Sequence, residues 1–256
     1  LTGSVGFHYH AGFSGGRKSL VPGLAGRATI QGNHLRTLND DGARHPGSRA
    51  GGLEGNPVHE DMMEAASMVG SPLIVNTVLD EAGVPEGIWI GGMEGAHRQA
   101  CDYLVRTRSL SLPPRELVVV AGGGHPSDIN LIQAHKAFEA AFPAVTPGGA
   151  VILAAECPDG LGDEEFRHGI ETGSEQELAA SLLADYRVYG QTALSWRRKL
   201  AACRLILVSS LAPEQVRLAG AEPATSLAAA LDAASAGAGG RGWLFRQGAR
   251  WLVNAR

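Results

Sequence analysis

The chain has 256 residues, of which 44% are apolar and 19% are charged, and its formal net charge is -4. This balance is typical of a globular protein and excludes a disordered chain, which would be poorer in apolar residues. The slight negative charge, without a basic stripe, argues against a nucleic-acid-binding surface. No apolar run approaches the roughly 18 residues of a membrane span.

The three cysteines, Cys101, Cys157 and Cys203, are widely separated and show no C-x-x-C spacing. This pattern favours reduced thiols over a disulfide or a cysteine-ligated zinc, so we expect a cytoplasmic protein. The opening Leu1-Thr-Gly-Ser has no signal-peptide pattern and no initiator Met, which is consistent with a fragment of a longer chain.

The first half predicts a partial, mixed α/β domain. Asn56-Pro57 is a typical helix start, with a capping side chain and Pro at the first helical position. Apolar residues at three- and four-residue spacing then indicate one buried helix face. The predicted elements are a strand at Val5–Tyr9, a glycine turn at Gly12–Gly16, a helix at Ala28–Leu38, a helix that starts at Asn56, a hairpin of 72–79 with 87–90, and a helix at Gly95–Val105. The helix that starts at Asn56 is expected to bury Val58, Met62, Ala65, Ala66 and Val69.

The second half predicts a mostly parallel sheet. Consecutive prolines make residues 109–115 a linker, because proline stops both helices and strand pairing. Strands and helices then alternate, which is typical of a parallel α/β domain over 116–242. The predicted strands are 116–121, 149–155 and 204–209. The predicted helices are Ser127–Ala141, two helices within 164–200, and one helix at 225–236. A flexible joint at 237–242 then precedes a hairpin at 243–256, which could return to the first domain.

The most informative stretch is His8 to His34, H-Y-H-A-G-F-S-G-G-R-K-S-L-V-P-G followed by N-H. Lys18 could bind phosphate, act as an amine nucleophile or point into water. Arg17 stands where a phosphate loop has glycine, and Pro22 breaks the following element, so a true P-loop is disfavoured. On a strand, His8 and His10 would share a face, and imidazoles beside a lysine indicate a site rather than a bare turn.

A second cluster, G-G-G-H-P-S-D-I-N-L-I-Q-A-H-K-A, spans Gly122 to Ala137. It follows a predicted strand and opens a helix, where open α/β sheets place ligands. Gln133 and Lys136 share a helical face, whereas His135 points elsewhere. An amide and an ammonium together suit a carboxylate, although a solvated helix face remains the alternative.

These motifs, with G-N-P-V-H-E-D between them, resemble in order the catalytic subunit of nickel-dependent lactate racemase and related 2-hydroxyacid racemases and epimerases. The resemblance implies a nickel pincer nucleotide, pyridinium-3,5-bisthiocarboxylic acid mononucleotide nickel, covalently held on Lys18. His34 would be the protein ligand to nickel, His8 a catalytic base, and Gln133 and Lys136 the groups that hold the substrate. Trp196 would lie beside the cofactor, although an ordinary core position is nearly as well supported.

The resemblance also implies a small 2-hydroxy acid as substrate and cofactor-synthesis proteins as partners, without which recombinant material can lack the cofactor. Residues 1–108 would be the later part of the cofactor- and nickel-binding domain. Ile132 stands where lactate racemases carry tyrosine, so the substrate is expected to differ from lactate. The family's first catalytic histidine, a substrate-binding arginine and its phosphate loop precede the matched pattern, so we expect the chain alone to lack a complete site. The alternatives are a non-catalytic binding or scaffold homologue and a related hydroxyacid redox enzyme.

Overall fold

A computed structural model describes residues 1–70, 72–235 and 241–256. The chain divides into two compact units, Leu1–Ser109 and Leu110–Arg256. Both combine helices with sheets, as the composition and periodicity predict for an α/β protein. None of the helices in this described part has the length and apolar character that a membrane crossing requires.

In the residues of the first unit that the structure describes, there are five short or medium strands and three helices. Its elements are β1 (Thr2–Ser4), β2 (Phe7–His8), β3 (Gly12–Phe13), α1 (Arg27–Leu35), α2 (Pro57–Ser67), β4 (Leu73–Leu79), β5 (Pro85–Gly92) and α3 (Met93–Arg108).

The main sheet of the first unit is mixed. Its strand order is β1-β4-β5, with β1 parallel and β5 antiparallel to the central strand. Side chains alternate between the faces of β4, so that Ile74 and Val78 are fully buried against a core to which α3 contributes Ala96 and Leu104. The predicted hairpin is confirmed.

Several predicted boundaries in this unit are wrong. The helix expected to reach Leu38 ends at Leu35. The strand expected at Val5–Tyr9 is two strands, β1 and β2, and Tyr9 lies in the turn that follows. The helix expected to bury Val69 ends at Ser67, and Val69 is 62% exposed. Periodicity continues past the end of a helix whenever the next residues happen to be apolar, so it cannot locate that end.

The second unit contains the alternating elements that the sequence predicts, with more strands. One of these, Ser109–Leu112, occupies most of the stretch 109–115 that was expected to be a linker without regular structure. The elements are β6 (Ser109–Leu112), β7 (Arg115–Ala121), α4 (Leu131–Ala141), β8 (Val145–Ala154), α5 (Glu164–Glu171), α6 (Glu175–Ala184), α7 (Gly190–Ala202), β9 (Arg204–Val208), α8 (Pro213–Leu218), β10 (Glu222–Ala224), α9 (Leu227–Ser235), β11 (Gly242–Phe245) and β12 (Leu252–Ala255).

A five-stranded sheet of order β10-β9-β8-β7-β11 forms the centre of this unit, and all of its neighbouring strands are parallel. Val151, Ile152 and Leu153 are successive on β8 and all fully buried. Because successive side chains point to opposite faces, this central strand is buried on both faces, as in other parallel sheets.

The hairpin predicted at 243–256 is wrong. β11 instead extends the parallel sheet beside β7, and β12 pairs with β6, so the two strands do not pair with each other. The turn signal at Gln247-Gly248 was real, since a single 3₁₀ turn occupies Gly248–Arg250. Turn chemistry does not identify the partner of each strand. The predicted joint at 237–242 lies mostly outside the described residues, as does Ala236, the predicted end of α9.

The predicted start of α2 is confirmed. Asn56 caps the helix by accepting hydrogen bonds from the backbone N–H groups of Val58 and His59. Its Nδ2 also donates to the carbonyl oxygens of His10 and Gly52, both at 3.0 Å. One fully buried amide therefore joins α2 to two separate loops.

We expect Asn56→Ala to lower the free energy of unfolding by about 2 kcal/mol or more. Loss of a cap costs about 1 kcal/mol, and two buried carbonyls lose a donor as well. Asp163→Ala is the matched control, because Asp163 caps α5 through one exposed hydrogen bond to Glu165 N–H. Urea unfolding with hydrogen exchange on α2 and α5 measures both changes, and equal losses would contradict the expectation.

All three cysteines are free and buried, in agreement with the expected reduced thiols. Burial raises the pKa of Cys101 to about 12 and those of Cys157 and Cys203 to about 11. A raised pKa keeps each group as the unreactive thiol at pH 8.

We therefore expect a disulfide reagent such as DTNB at pH 8 to modify no thiol of the folded chain quickly and three thiols in denaturant. Glu81→Cys, at an exposed turn position, supplies the control for reagent access and should react at once. Rapid native modification of any of the three would show that its local environment opens readily.

Candidate functional site

The loop before Lys18 packs closely on its neighbours. A Cβ at Gly12, where φ is +79°, would lie 2.0 Å from the carbonyl oxygen of Gly52. A Cβ at Gly16, where φ is +54°, would lie 2.7 Å from the ring of His97. Glycine is required at both positions, since an added side chain would meet backbone or a buried ring.

Arg17 is fully buried in this loop. Its Nη1 donates to the carbonyl oxygen of Phe13 at 3.0 Å, and its Nη2 donates to that of Ala11 at 2.5 Å. Nη1 also lies 3.1 Å from Nε2 of His97. Burial lowers the pKa of Arg17 to about 10, so the side chain stays charged at neutral pH. A buried cation therefore holds the loop by its carbonyls.

Lys18, the next residue, is half-buried in the 3₁₀ turn Gly16–Ser19. Its charge contributes to the lowered pKa values of both His10 and His34. Arg17 and Lys18 therefore have different surroundings, one in the core and the other facing the imidazoles.

Three histidine rings form a row beside Lys18. The ring centroids of His8 and His10 are 4.3 Å apart, and those of His10 and His34 are 4.8 Å apart, with nearly perpendicular planes in both pairs. His8 ends β2, His10 lies in the following turn and His34 lies on α1. The structure thus brings the rings of His8, His10 and His34 together within the same unit as Lys18.

The tautomer of His34 leaves one ring nitrogen with a lone pair. Nδ1 lies 2.9 Å from the carbonyl oxygen of Ile30, one turn earlier, and can only donate to it. Burial and the charge of Lys18 lower the pKa of His34 to about 4. A neutral ring with Nδ1 as donor has its lone pair on Nε2, which is the arrangement of many metal-bound histidines.

The tautomer of His8 is the opposite one. Its Nδ1 accepts a weak hydrogen bond from the backbone N–H of Ala11 at 3.3 Å. The proton of the neutral ring is then on Nε2, so that His8 donates from this nitrogen.

Asn33 fixes the orientation of α1 through two hydrogen bonds to α2. Its Nδ2 donates to the carbonyl oxygen of Val58 at 3.0 Å and to Oδ2 of Asp61 at 2.8 Å. Asp61 also forms an ion pair with Arg36 at 2.7 Å. Contacts on both sides of His34 in the sequence thus fix the rotation of α1 against α2.

The second candidate pair lies on α4 in the other unit. This helix begins at Leu131 rather than at Ser127, because the side chain of Asn130 caps it by accepting from Gln133 N–H. Nζ of Lys136 donates to Oε1 of Gln133 at 2.6 Å, so the predicted shared face is confirmed. Burial lowers the pKa of Lys136 from its usual value.

His135 and Trp196 both lie in the core of the second unit. His135 is 1% exposed and points away from Gln133 and Lys136, with Nδ1 against the carbonyl oxygen of Ile132. Trp196 is also 1% exposed, its Nε1 donates to the carbonyl oxygen of Ala219 at 2.7 Å, and its ring packs on Phe138. A place for Trp196 beside a cofactor stays a prediction, and its surroundings are those of a core residue.

Sequence reasoning missed three residues that shape the histidine row. Arg17 was used only as an argument against a phosphate loop, and His10 was noted only for its alternation with His8. Arg44 donates to the carbonyl oxygens of Tyr9 and Ser48. No local pattern identifies Arg44, because it acts across 35 residues from within a polar loop.

Within the described ranges, no group of three or more His, Cys, Asp or Glu side chains is arranged to hold a metal ion. The imidazole row therefore does not form a zinc-type site made entirely of protein ligands. A metal at His34 would need most of its ligands from another source.

Comparison with known families agrees with these features. A family model described as "Lactate racemase N-terminal domain" matches residues 1–45, and one described as "Lactate racemase C-terminal domain" matches residues 111–242. The second match covers about half of the chain. The first contains the complete histidine and lysine cluster, and the second contains α4.

Two curated relatives are lactate racemases. That of Thermoanaerobacterium thermosaccharolyticum is 37% identical over 178 residues, and that of Lactiplantibacillus plantarum is 38% identical over 168 residues. These matches cover 69% and 66% of this chain but 41% and 39% of the relatives. The matched part is thus about two fifths of each curated relative.

Solved structures show the same architecture. The apoprotein of lactate racemase from T. thermosaccharolyticum superimposes with a TM-score of 0.90 at 30% identity, covering 99% of this chain and 62% of that one. A protein from Thermotoga maritima has a TM-score of 0.70 at 17% identity, covering all of this chain and 66% of its own, and indicates the fold alone.

We expect Arg17→Met to lower the free energy of unfolding by about 2 kcal/mol or more, because the carbonyls of Ala11 and Phe13 lose charged donors in a buried site. Arg27→Met, at an exposed position of α1, should change it by less than about 0.5 kcal/mol. Urea unfolding compares the two variants. Equal stability would mean that the cost of burying the guanidinium cancels its hydrogen bonds.

Proposed function

Because this chain belongs to the lactate racemase family, we propose that it is part of a racemase or epimerase of a 2-hydroxy acid. The proposed cofactor is the nickel pincer nucleotide, attached to Lys18, with His34 as the protein ligand to nickel. The observation that carries the proposal is the neutral ring of His34, whose hydrogen bond to Ile30 leaves Nε2 with the lone pair, in the same compact unit as Lys18.

The residues fit such a group in two respects. The lone pair of His34 is on Nε2, because Nδ1 donates to Ile30, and imidazole is a good ligand for nickel. One available imidazole, without carboxylates or thiolates around it, is a poor metal site alone but suits a metal that arrives with its own sulfur ligands. When bound, the cofactor would accept a hydride from carbon 2 of the substrate and return it.

His8 would exchange a proton with the oxygen on carbon 2. In the tautomer that its bond to Ala11 selects, Nε2 carries the proton and would donate a hydrogen bond to that oxygen. For Nε2 to take up the hydroxyl proton as a base, the ring proton has to lie on Nδ1 instead, so the contact with Ala11 has to be given up. We propose that His8 acts as the base from this second tautomer and, as the resulting imidazolium, returns the proton in the reverse step.

Gln133 and Lys136 would hold the carboxylate and the oxygen on carbon 2. Lys136 uses one of its three N–H donors on Oε1 of Gln133, so the amide N–H₂ group and two ammonium hydrogens can point to a ligand. The contact also orients the amide, because its oxygen faces the ammonium. This pair then offers an anion only donors.

The substrate is proposed only as a class. Ile132, the residue before Gln133, is 5% exposed. It packs closely on Gly162, where an added Cβ would lie 2.7 Å from Cδ1 of Ile132. Isoleucine has no hydroxyl group that could form a hydrogen bond to a substrate. We therefore propose a 2-hydroxy acid that is recognised without a protein hydroxyl at this position. The cytoplasmic location and the cofactor-synthesis partners stay predictions.

Intact mass and nickel content test the proposal. We expect the chain, co-expressed with the family's cofactor-synthesis proteins, to carry a covalent adduct and about one nickel. The chain has only three lysines, Lys18, Lys136 and Lys199, so peptide mass mapping assigns the attachment unambiguously. Lys18→Ala should lose both adduct and nickel, whereas His34→Phe should keep the adduct and lose at least about tenfold in nickel retention, as expected when a metal ligand is removed.

Lys136→Arg is the control and should load normally, because Lys136 is assigned to substrate rather than cofactor. The L. plantarum lactate racemase, expressed in parallel, shows that the synthesis proteins are active. An unmodified Lys18 beside a loaded control protein would exclude the proposed cofactor and favour a binding or scaffold role.

A further inference from the structure

His10 is the one histidine of the row that the proposed chemistry does not use. It is 4% exposed and lies between two partly buried rings, those of His8 and His34. Among the described residues, neither of its ring nitrogens has a hydrogen-bond partner. Its backbone is firmly held, since its carbonyl oxygen accepts from Ser48 Oγ and Asn56 Nδ2.

This arrangement is costly in the folded chain. A neutral imidazole has one N–H donor and one acceptor, and each buried polar group without a partner costs about 1–3 kcal/mol. Phenylalanine would give the same ring contacts without that cost. A buried polar ring without a partner in a well-held backbone requires an explanation, and a ligand that pairs with it is one.

The charges around His10 identify the sign of that ligand. The charged groups that act on it from the described surroundings are Lys18 and Arg44, both cations, together with the rings of His8 and His34. No carboxylate is among them. A bare metal cation would be repelled by this environment, whereas an anion would be attracted and would accept the ring N–H.

We propose that His10 is an anion-binding residue, which donates a ring N–H to a carboxylate or phosphate oxygen of a molecule bound beside His8, His34 and Lys18. The rings of His8 and His34 are only partly buried, so the anion would approach His10 from their side. This role is separate from nickel ligation and from proton exchange at His8. It needs no nickel, and the chain can be tested without the cofactor.

Side-chain ¹⁵N NMR of the cofactor-free chain, labelled on histidine, tests the proposal directly. Sodium lactate and inorganic phosphate are the two probes, and sodium chloride at equal ionic strength is the reference. The ring signals of His10 are assigned through their contacts with the rings of His8 and His34. We expect saturable shifts of the His10 nitrogens with at least one probe, and the effective probe shows whether a carboxylate or a phosphate is preferred.

His10→Phe keeps the ring contacts and removes both nitrogens. We expect it to weaken the binding of the effective probe by about tenfold or more, as for loss of a hydrogen bond to a charged group, without lowering the melting temperature of the free chain. His168→Phe, at an exposed position of α5, is the matched control and should leave the affinity unchanged.

Two results would overturn the proposal: no saturable shift at His10 with either anion in the wild-type chain, or unchanged affinity in a folded His10→Phe variant. If that variant does not fold, the wild-type titration decides alone. Cofactor loading is measured in a separate experiment. A chain that binds no nickel could therefore still bind the anion at His10, and a chain that binds no anion at His10 could still carry nickel.

Discussion

The first unit depends on one buried guanidinium. Arg17 donates to the carbonyls of Ala11 and Phe13, which lie on either side of Gly12. Without it, both carbonyls would lose a charged donor in a buried site, and that of Ala11 would keep only the backbone N–H of Phe13. The cation therefore maintains a tight loop that would otherwise open towards water.

The position of the lysine follows from this constraint. Arg17 is buried in the core, whereas Lys18, the next residue of the same 3₁₀ turn, is only partly buried and its charge acts on the rings of His10 and His34. Asn56, the cap of α2, donates to the carbonyl oxygen of His10. Helix α2 also contacts α1, which carries His34, because Asn33 of α1 donates to the carbonyl oxygen of Val58. The candidate site is thus assembled from hydrogen bonds between backbone carbonyls and side chains far apart in sequence, and this makes it sensitive to changes at residues that touch no ligand.

The two units position their functional side chains in a similar way. In each, an asparagine caps the helix that carries or orients the functional side chains, Asn56 on α2 and Asn130 on α4. A capped helix starts at a defined residue, which fixes the rotation of every side chain that follows it. On α4 this places Gln133 and Lys136 on one face and His135 in the core. A helix beginning four residues earlier, as expected from the sequence, would be equally periodic but would lack this cap.

Local chemistry in the sequence determined the mixed and parallel α/β classes, the capped start of α2, the hairpin of β4 and β5, and the shared face of Gln133 and Lys136. These features depend on neighbours within a few residues, so their patterns are visible in the chain. Tertiary structure alone decided that β11 joins the parallel sheet, that Arg17 is buried, that His8 and His34 have opposite tautomers and that His10 has no partner. Strand partners and hydrogen-bond acceptors are distant in sequence, and only the folded chain brings a carbonyl or a ring into reach of a given side chain.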